Sequence, residues 1–304
     1  MIEIKDFSTW TPYEGFAEGS GRSEKLWLKS PNGQIGLFKF PKTNTDGNSE
    51  TTEHVSEHLA YKIGEKLGVS TAIVEIGKYN NRIGSMSYFV CEPNENLQEG
   101  IGFISGKYPK FNAETMLDEE NNRYYCLEHI LNSVPKGVPN KIWIEMMLFD
   151  FLIGNTDRHQ SNWALLFKVT FGDKVELRLR QCPLYDNGSS LCSFVNKEQV
   201  EAFLGNDKVR FEALVDTKSL SMIRVDGTRK KRPTHREVIK YLIETYPVAR
   251  DIARGFLENL DEKTYQTLID EYSDEIISEQ KRELIKRYIH RKLEIMKSVL
   301  EEEN

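Results

Sequence analysis

Between Ser49 and Leu67 the apolar positions Val55, Leu59, Ile63 and Leu67 recur at every fourth residue. That spacing predicts a helix with one buried stripe, closed by Gly68 just past its end. The flanking segments alternate instead. Leu26 and Leu28 sit between charged neighbours in Glu24–Lys29, and Ile35–Phe40 returns after Asn32-Gly33. Thr71–Gly77 and Ile83–Cys91 lie on either side of Tyr79-Asn80-Asn81. A period of two predicts half-buried strands, and Asn-Gly predicts a hairpin turn. With a short strand at Ile2–Ile4, these segments predict a small β-rich lobe over residues 1–92. The polar stretch Glu92–Gly100 reads as its boundary.

After a further loop, helical patterns dominate residues 93–304. Tyr124–Val134 is the first, broken by Pro135, Gly137 and Pro139, with Asn140 placed to cap the next. Ile142–Gly154 is the most apolar run. It contains Glu145 and Asp150 and is too short to span a bilayer, so it predicts a buried helix and no membrane span. Trp163–Thr170 and Val175–Gln181 predict a hairpin. Helices are then expected at Lys197–Leu204, Thr234–Thr245, Pro247–Asn259, Glu262–Tyr272 and Ser278–Leu300. The result is an α+β chain with a small β-rich N-lobe and a mostly helical C-lobe.

Composition narrows the function only slightly. With 39% hydrophobic and 29% charged residues in 304, the chain is an ordinary globular protein. A net charge of −6 argues against sequence-independent binding to nucleic acid. The opening MIEIKDFSTW has no basic and then apolar leader, and the four Cys form no C-x-x-C pair. Both points suggest a cytoplasmic protein with reduced thiols.

The candidate chemistry centres on IGNTDRHQSN, which comes directly after the apolar helix. Asp157 and Asn162 have the D-x-x-x-x-N spacing of a kinase catalytic loop, and Asp186 comes later in LYDNGSS. Phosphoryl transfer uses this inventory: one carboxylate for the attacking hydroxyl, then an amide oxygen and a second carboxylate for Mg²⁺. The intervening hairpin is expected to return Asp186 towards Asp157 and Asn162. His159 is a candidate to share the base role or steady the transferring group. In the N-lobe, Gly15, Gly19 and Gly21 form a glycine-rich passage, and Lys39 lies in a strand, a pairing suited to ATP phosphates. Taken alone, a lysine in a strand is usually a solvated edge residue. Glu57 is placed to orient Lys39, and a nucleotide base is expected near Met86 to Phe89. His54, Glu57 and His58 also spell H-x-x-E-H, a zinc-hydrolase pattern, or simply a partly exposed helix face. The basic run Arg229–Arg232 reads as a solvated loop or a dock for an acidic partner.

Taken together, GNTDRHQSNWAL, LYDNGSS, LFKFP and SEHLAYKIGEKLGV resemble the HipA-like serine/threonine kinases, most closely their compact CtkA-type branch. TDRHQSN also resembles the corresponding loop of phosphatidylinositol 3/4-kinases, whose fold that family shares. The resemblance implies a bilobal protein-kinase-like fold and transfer of the γ-phosphoryl of ATP, with Mg²⁺, to a Ser/Thr of a protein substrate. It implies Asp157 as catalytic residue, Asn162 and Asp186 as metal ligands, Lys39 as the phosphate lysine and Glu57 as its partner. It implies Gly19, Ser20 and Gly21 as the glycine loop, with Ser20 as an autophosphorylation candidate and Ser23 where the family has Gln. It also raises a toxin role and a helix-turn-helix antitoxin as partner. A lipid or small-molecule kinase and a non-catalytic nucleotide-binding or partner-binding module are the alternatives.

Overall fold

The structure, a computed structural model, describes residues 1–15, 24–43, 47, 50–172 and 175–302. Gly19, Ser20 and Gly21 therefore lie outside the described residues. The chain divides into two compact units. One comprises Met1–Phe89, Asp186–Glu212 and Asn259–Arg291; the other comprises Val90–Tyr185, Ala213–Glu258 and Lys292–Asn304.

In chain order the first unit begins with β1 (Lys5–Asp6), β2 (Thr11–Pro12), β3 (Lys25–Lys29), β4 (Ile35–Lys39), α1 (Glu53–Leu67), β5 (Val74–Tyr79) and β6 (Arg82–Tyr88). The strands form one sheet in the order β1-β5-β6-β4-β3-β2. The first strand lies at Lys5–Asp6 rather than Ile2–Ile4, because the Ile2 amide donates to the Glu271 carbonyl and leaves the later residues to pair with β5. Asn80 and Asn81 both take positive φ, 49° and 63°, which closes the β5–β6 hairpin with the sheet's own twist. Strand alternation sorts the sheet into two faces. Phe38 and Met86, paired across β4 and β6, join Phe7, Leu28, Phe40 and Tyr79 in a buried cluster on one face. Lys39 and Ser85 are the next pair along and face the other way, towards α1. Gly84 is needed beside them: a Cβ there would lie 2.4 Å from the Lys39 carbonyl oxygen.

The second unit opens with β7 (Asn96–Glu99), inside the polar stretch read as the boundary, and α2 (Gly100–Lys107), which starts at its last residue. Leu97 is the only strong apolar residue of β7, so its pairing with β11 carried little sequence signal. A small sheet comes next, β8 (Phe111–Asn112), β9 (Leu117–Asp118) and β10 (Arg123–Tyr124), then α3 (Leu127–Ser133), α4 (Lys141–Ile153), β11 (Ala164–Phe171) and β12 (Val175–Gln181). Cys126 is extended, with φ −148°, so α3 starts later than the expected Tyr124. Asn140 precedes α4 as expected but makes no side-chain cap. Helix α4 is buried on nearly every side. Trp143 meets Trp163 edge-on at 4.7 Å, and the Trp163 indole donates to the Tyr125 hydroxyl at 2.8 Å.

The remaining helices are α5 (Lys197–Leu204), α6 (Lys208–Val215), α7 (His235–Thr245), α8 (Pro247–Asn259), α9 (Glu262–Asp270) and α10 (Glu279–Glu302). Reciprocal capping boxes, Asn196 with Gln199 and Thr234 with Glu237, start α5 and α7. Helix α6 was not legible; it is two turns long and carries Val209, 82% exposed, outside any buried stripe. No described helix is long and apolar enough to cross a membrane.

Candidate active site

Helix α1 sets the first half of the site. Its apolar stripe packs on the sheet and turns Glu57, 3% exposed, towards Lys39. Glu57 Oε1 accepts from Lys39 Nζ at 2.6 Å, and Asp186 Oδ1 accepts from the same ammonium at 2.7 Å. Burial works against the charge on Lys39, but Asp186 and Glu57 outweigh it and raise its pKa above the ordinary lysine value. Lys39 is thus held by two carboxylates rather than standing on a solvated edge.

The segment after Asp186 is strapped to α1. The Asn187 amide donates to Glu57 Oε2 at 3.0 Å, Ser56 Oγ donates to the Ser190 carbonyl at 2.9 Å, and the Thr52 amide donates to the Ser193 carbonyl at 3.0 Å. Lys281 Nζ reaches the carbonyls of Cys192 and Val195 at 2.7 and 2.6 Å. Asp186, Leu191 and Cys192 all hold positive φ, a conformation costly for residues with a side chain and common where a site is being positioned. The straps explain why residues 186–195 group with the sheet and α1 and not with the hairpin that precedes them.

The second half of the site is the loop that α4 delivers. Gly154 ends α4 in the left-handed region, φ 68°, where a side chain would be strained. Asp150, in the last turn of α4, organises the loop beyond it. It accepts Asn155 Nδ2 at 3.0 Å and a fork from Arg158, Nε to Oδ2 at 3.0 Å and Nη2 to Oδ1 at 2.8 Å. Burial pushes the Asp150 carboxyl pKa up, while Arg158 and Asn155 pull the other way. Arg158 Nη1 also donates to the carbonyls of Asn162 and Tyr185, both at 2.8 Å. Asn155 Oδ1 takes the Asp157 amide at 3.0 Å, and Asn162 Nδ2 donates to the Asp157 carbonyl at 2.7 Å. These bonds tie the loop to itself, with Asp157 half-buried and Oδ1 as the acceptor atom of the Asn162 amide. His159 is half-buried, and its Nδ1 accepts from the Ser161 amide at 3.2 Å, which puts the single proton of a neutral ring on Nε2.

Lys39, Glu57 and Asp186 are thus brought together within one unit, and Asp157, His159 and Asn162 within the other. Two expectations change. Met86 lies in the core cluster on the sheet face opposite Lys39, so it is a packing residue and does not line the lysine side. Phe89, 36% exposed, instead meets the Trp27 ring at 6.0 Å. His54 and His58 are each only 7% exposed, not on a partly exposed face, and His58 Nδ1 is hydrogen-bonded to the Tyr272 hydroxyl at 2.6 Å. Among the described residues no group of three or more His, Cys, Asp or Glu is arranged to hold a metal. The residues missed by pattern reading are Asp150, Arg158 and Arg232. A carboxylate inside an apolar helix, with an arginine eight residues on in the loop beyond, was the available signal for the first pair. Arg232 is not solvated: Nη2 donates to the Thr156 and Leu220 carbonyls at 2.7 and 2.6 Å, and Nε to Ser221 at 3.0 Å.

A lysine–glutamate pair beneath a β-sheet and a D-x-x-x-x-N loop at the end of a buried helix are the parts of a kinase-like α+β fold. No family model matches the chain. In sequence it is 23% identical over 290 residues to the serine/threonine-protein kinase CtkA of Helicobacter pylori, a match spanning 89% of this chain and 85% of that protein. In structure it resembles the Helicobacter pylori proinflammatory kinase CtkA with a TM-score of 0.78 at 18% identity, over 98% of this chain and 99% of that one. It also resembles HipA of Shewanella oneidensis, solved with HipB and its operator DNA, with a TM-score of 0.56 at 10% identity, over 95% of this chain and 67% of that one. The expected resemblance to the CtkA-type branch of the HipA-like kinases, and the kinase-like fold it implies, are borne out by these likenesses.

Proposed function

We propose that this chain is an ATP-dependent serine/threonine protein kinase of the HipA-like type. The observation that carries the reading is the Lys39–Glu57 pair, 2.6 Å apart, in a chain similar along most of its length to the kinase CtkA. Asp157 orients the acceptor hydroxyl and takes its proton. His159, with its Nε2 proton, donates to the transferring phosphoryl group. Lys39, aimed by Glu57, neutralises phosphate charge, and the glycine loop with Gly19, Ser20 and Gly21 covers the phosphates. The base stacks on the lysine side of the sheet, by Trp27 and Phe89.

Asn162 and Asp186 offer hard oxygen donors, an amide acceptor and a carboxylate that is 45% exposed, which fit Mg²⁺ and not a soft metal. The ion would supply charge neutralisation at the phosphate oxygens. Ser20 is the proposed autophosphorylation site. We further propose a cytoplasmic location, and a helix-turn-helix antitoxin as partner on the likeness to HipA, which was solved with HipB. Co-purification of a short neighbouring gene product tests that partnership.

The central test is Asp157→Gln. It abolishes transfer of radiolabel from γ-labelled ATP to protein while leaving the far-ultraviolet circular dichroism and the melting temperature unchanged. Undiminished transfer in a folded variant would sink the assignment, and label appearing only in a lipid extract would change the acceptor class.

A further inference from the structure

The hairpin of β11 and β12 ends in an apolar face that none of the described residues covers. Val169 pairs with Leu177 and Phe171 with Val175. Phe171 is 80% exposed, Val175 68%, Leu177 58% and Leu179 37%. Strand β12 is also the outer strand of its sheet, order β12-β11-β7, so among the described residues its outward amides and carbonyls lack a ladder partner. Proteins usually blunt such an edge, because it templates pairing with another chain.

The sequence of β12, VELRLRQ, is complementary to itself when run antiparallel about Leu177. In that register Leu177 meets its own copy, Val175 meets Leu179, and Glu176 meets Arg178, each twice. All the apolar residues then fall on one face and the charges on the other, as strand alternation requires. The charges also have a reason to seek a partner. Within the hairpin Arg178 sits directly across from Lys168, a like-charge pair that destabilises a ladder. Neither Glu176 nor Arg178 makes an ion pair among the described residues, whereas the next arginine, Arg180, is already held by Glu95. A second copy would set Glu176 beside Arg178 and relieve that repulsion.

We propose that β12 is a homodimer interface, in which two chains pair Val175–Leu179 edge to edge about a two-fold axis through Leu177. The interface is isologous, so it closes at two copies and does not propagate. It joins two three-stranded sheets into one and doubles the apolar face, setting Val175 of each copy against Leu179 of the other along the seam. This inference rests on the hairpin alone and is independent of the kinase reading.

Sedimentation velocity on the full chain across a concentration series is the measurement. A dimer is expected, and Glu176→Arg or Arg178→Glu, each of which sets like charges opposite one another, weakens it at least about tenfold. The double variant Glu176→Arg/Arg178→Glu restores the opposite-charge pairs and the dimer. Leu177→Cys, oxidised, yields a covalent dimer through the two-fold contact. A monomer at every concentration overturns the proposal. So does a dimer that both single variants leave intact, and so does failure of the double variant, shown folded by its melting temperature, to recover association.

Discussion

Lys39 Nζ lies 2.6 Å from Glu57 Oε1, and the same glutamate accepts the amide of Asn187 through its other oxygen. One buried side chain therefore fixes both the strand lysine and the residue next to Asp186. Glu57→Gln keeps the shape and removes the charge. The expected result is a fall in phosphoryl transfer on the order of 10²-fold, with Lys39→Met lower still. Initial rates at saturating γ-labelled ATP measure this, and a Glu57→Gln enzyme at wild-type rate contradicts the role given to the pair.

The Asp150–Arg158 pair is the structural counterpart in the other unit. Both side chains are almost fully buried, at 3% and 1% exposure. Removing one partner leaves the other charged and uncompensated, so Arg158→Met should cost about 3–5 kcal/mol. Because Arg158 also holds the carbonyls of Asn162 and Tyr185, activity should fall before the fold melts. Urea unfolding compared with transfer rates at low denaturant separates the two effects. Asp150→Asn should cost at least as much, because the buried Arg158 guanidinium cannot shed its charge and loses both its counter-ion and the acceptor at Oδ2.

The parts of this molecule that read clearly from the sequence were those with a local rule behind them. The stripe Val55, Leu59, Ile63 predicts α1 because each residue packs on the same sheet, and the turn at Asn80-Asn81 predicts a hairpin because both residues tolerate positive φ. The features that stayed hidden depend on contacts distant in sequence. Met86 and Phe89 share one strand region, yet only the register with β4 decides that Met86 faces the core cluster. Arg232 sits in a run of basic residues indistinguishable from a solvated loop, and only the fold brings the Thr156 carbonyl to it. His54 and His58 matched a zinc pattern by spacing alone, and burial against Tyr272 and its neighbours is what they are used for.

Those two histidines make the fold sensitive to acid. Burial pushes both down, to about 4 from 6.5. Between these values the unfolded chain binds protons that the folded chain does not. Their contribution is therefore fully present above about pH 6.5 and is lost as pH falls towards 4, up to about 3 kcal/mol for each. Unfolding free energies from urea titrations at pH 7 and pH 5 should differ accordingly, and His54→Gln should shrink the difference. A stability that does not change over this range contradicts the buried, neutral state of both rings.

Arg232 holds the loop that carries Asp157, and charge and geometry can be separated there. Its guanidinium bridges the carbonyls of Thr156, Leu220 and Ser221, the first of them one residue before Asp157. Burial and Arg224 lower its pKa, and the attraction of Asp157 raises it, so its charge is felt at the Asp157 carboxylate. A lysine keeps the charge but cannot reach three carbonyls at once. Arg232→Lys should lower kcat about tenfold through misplacement of Asp157, with KM for ATP nearly unchanged and the acid limb of the pH–rate profile in place. Arg232→Met removes the charge as well. It should lower kcat further and move that limb to higher pH, because the carboxylate loses a cation that favours its ionised form. Steady-state profiles of the two variants, measured side by side, decide the point. If both leave kcat at the wild-type value, Arg232 serves only the packing of its own loop.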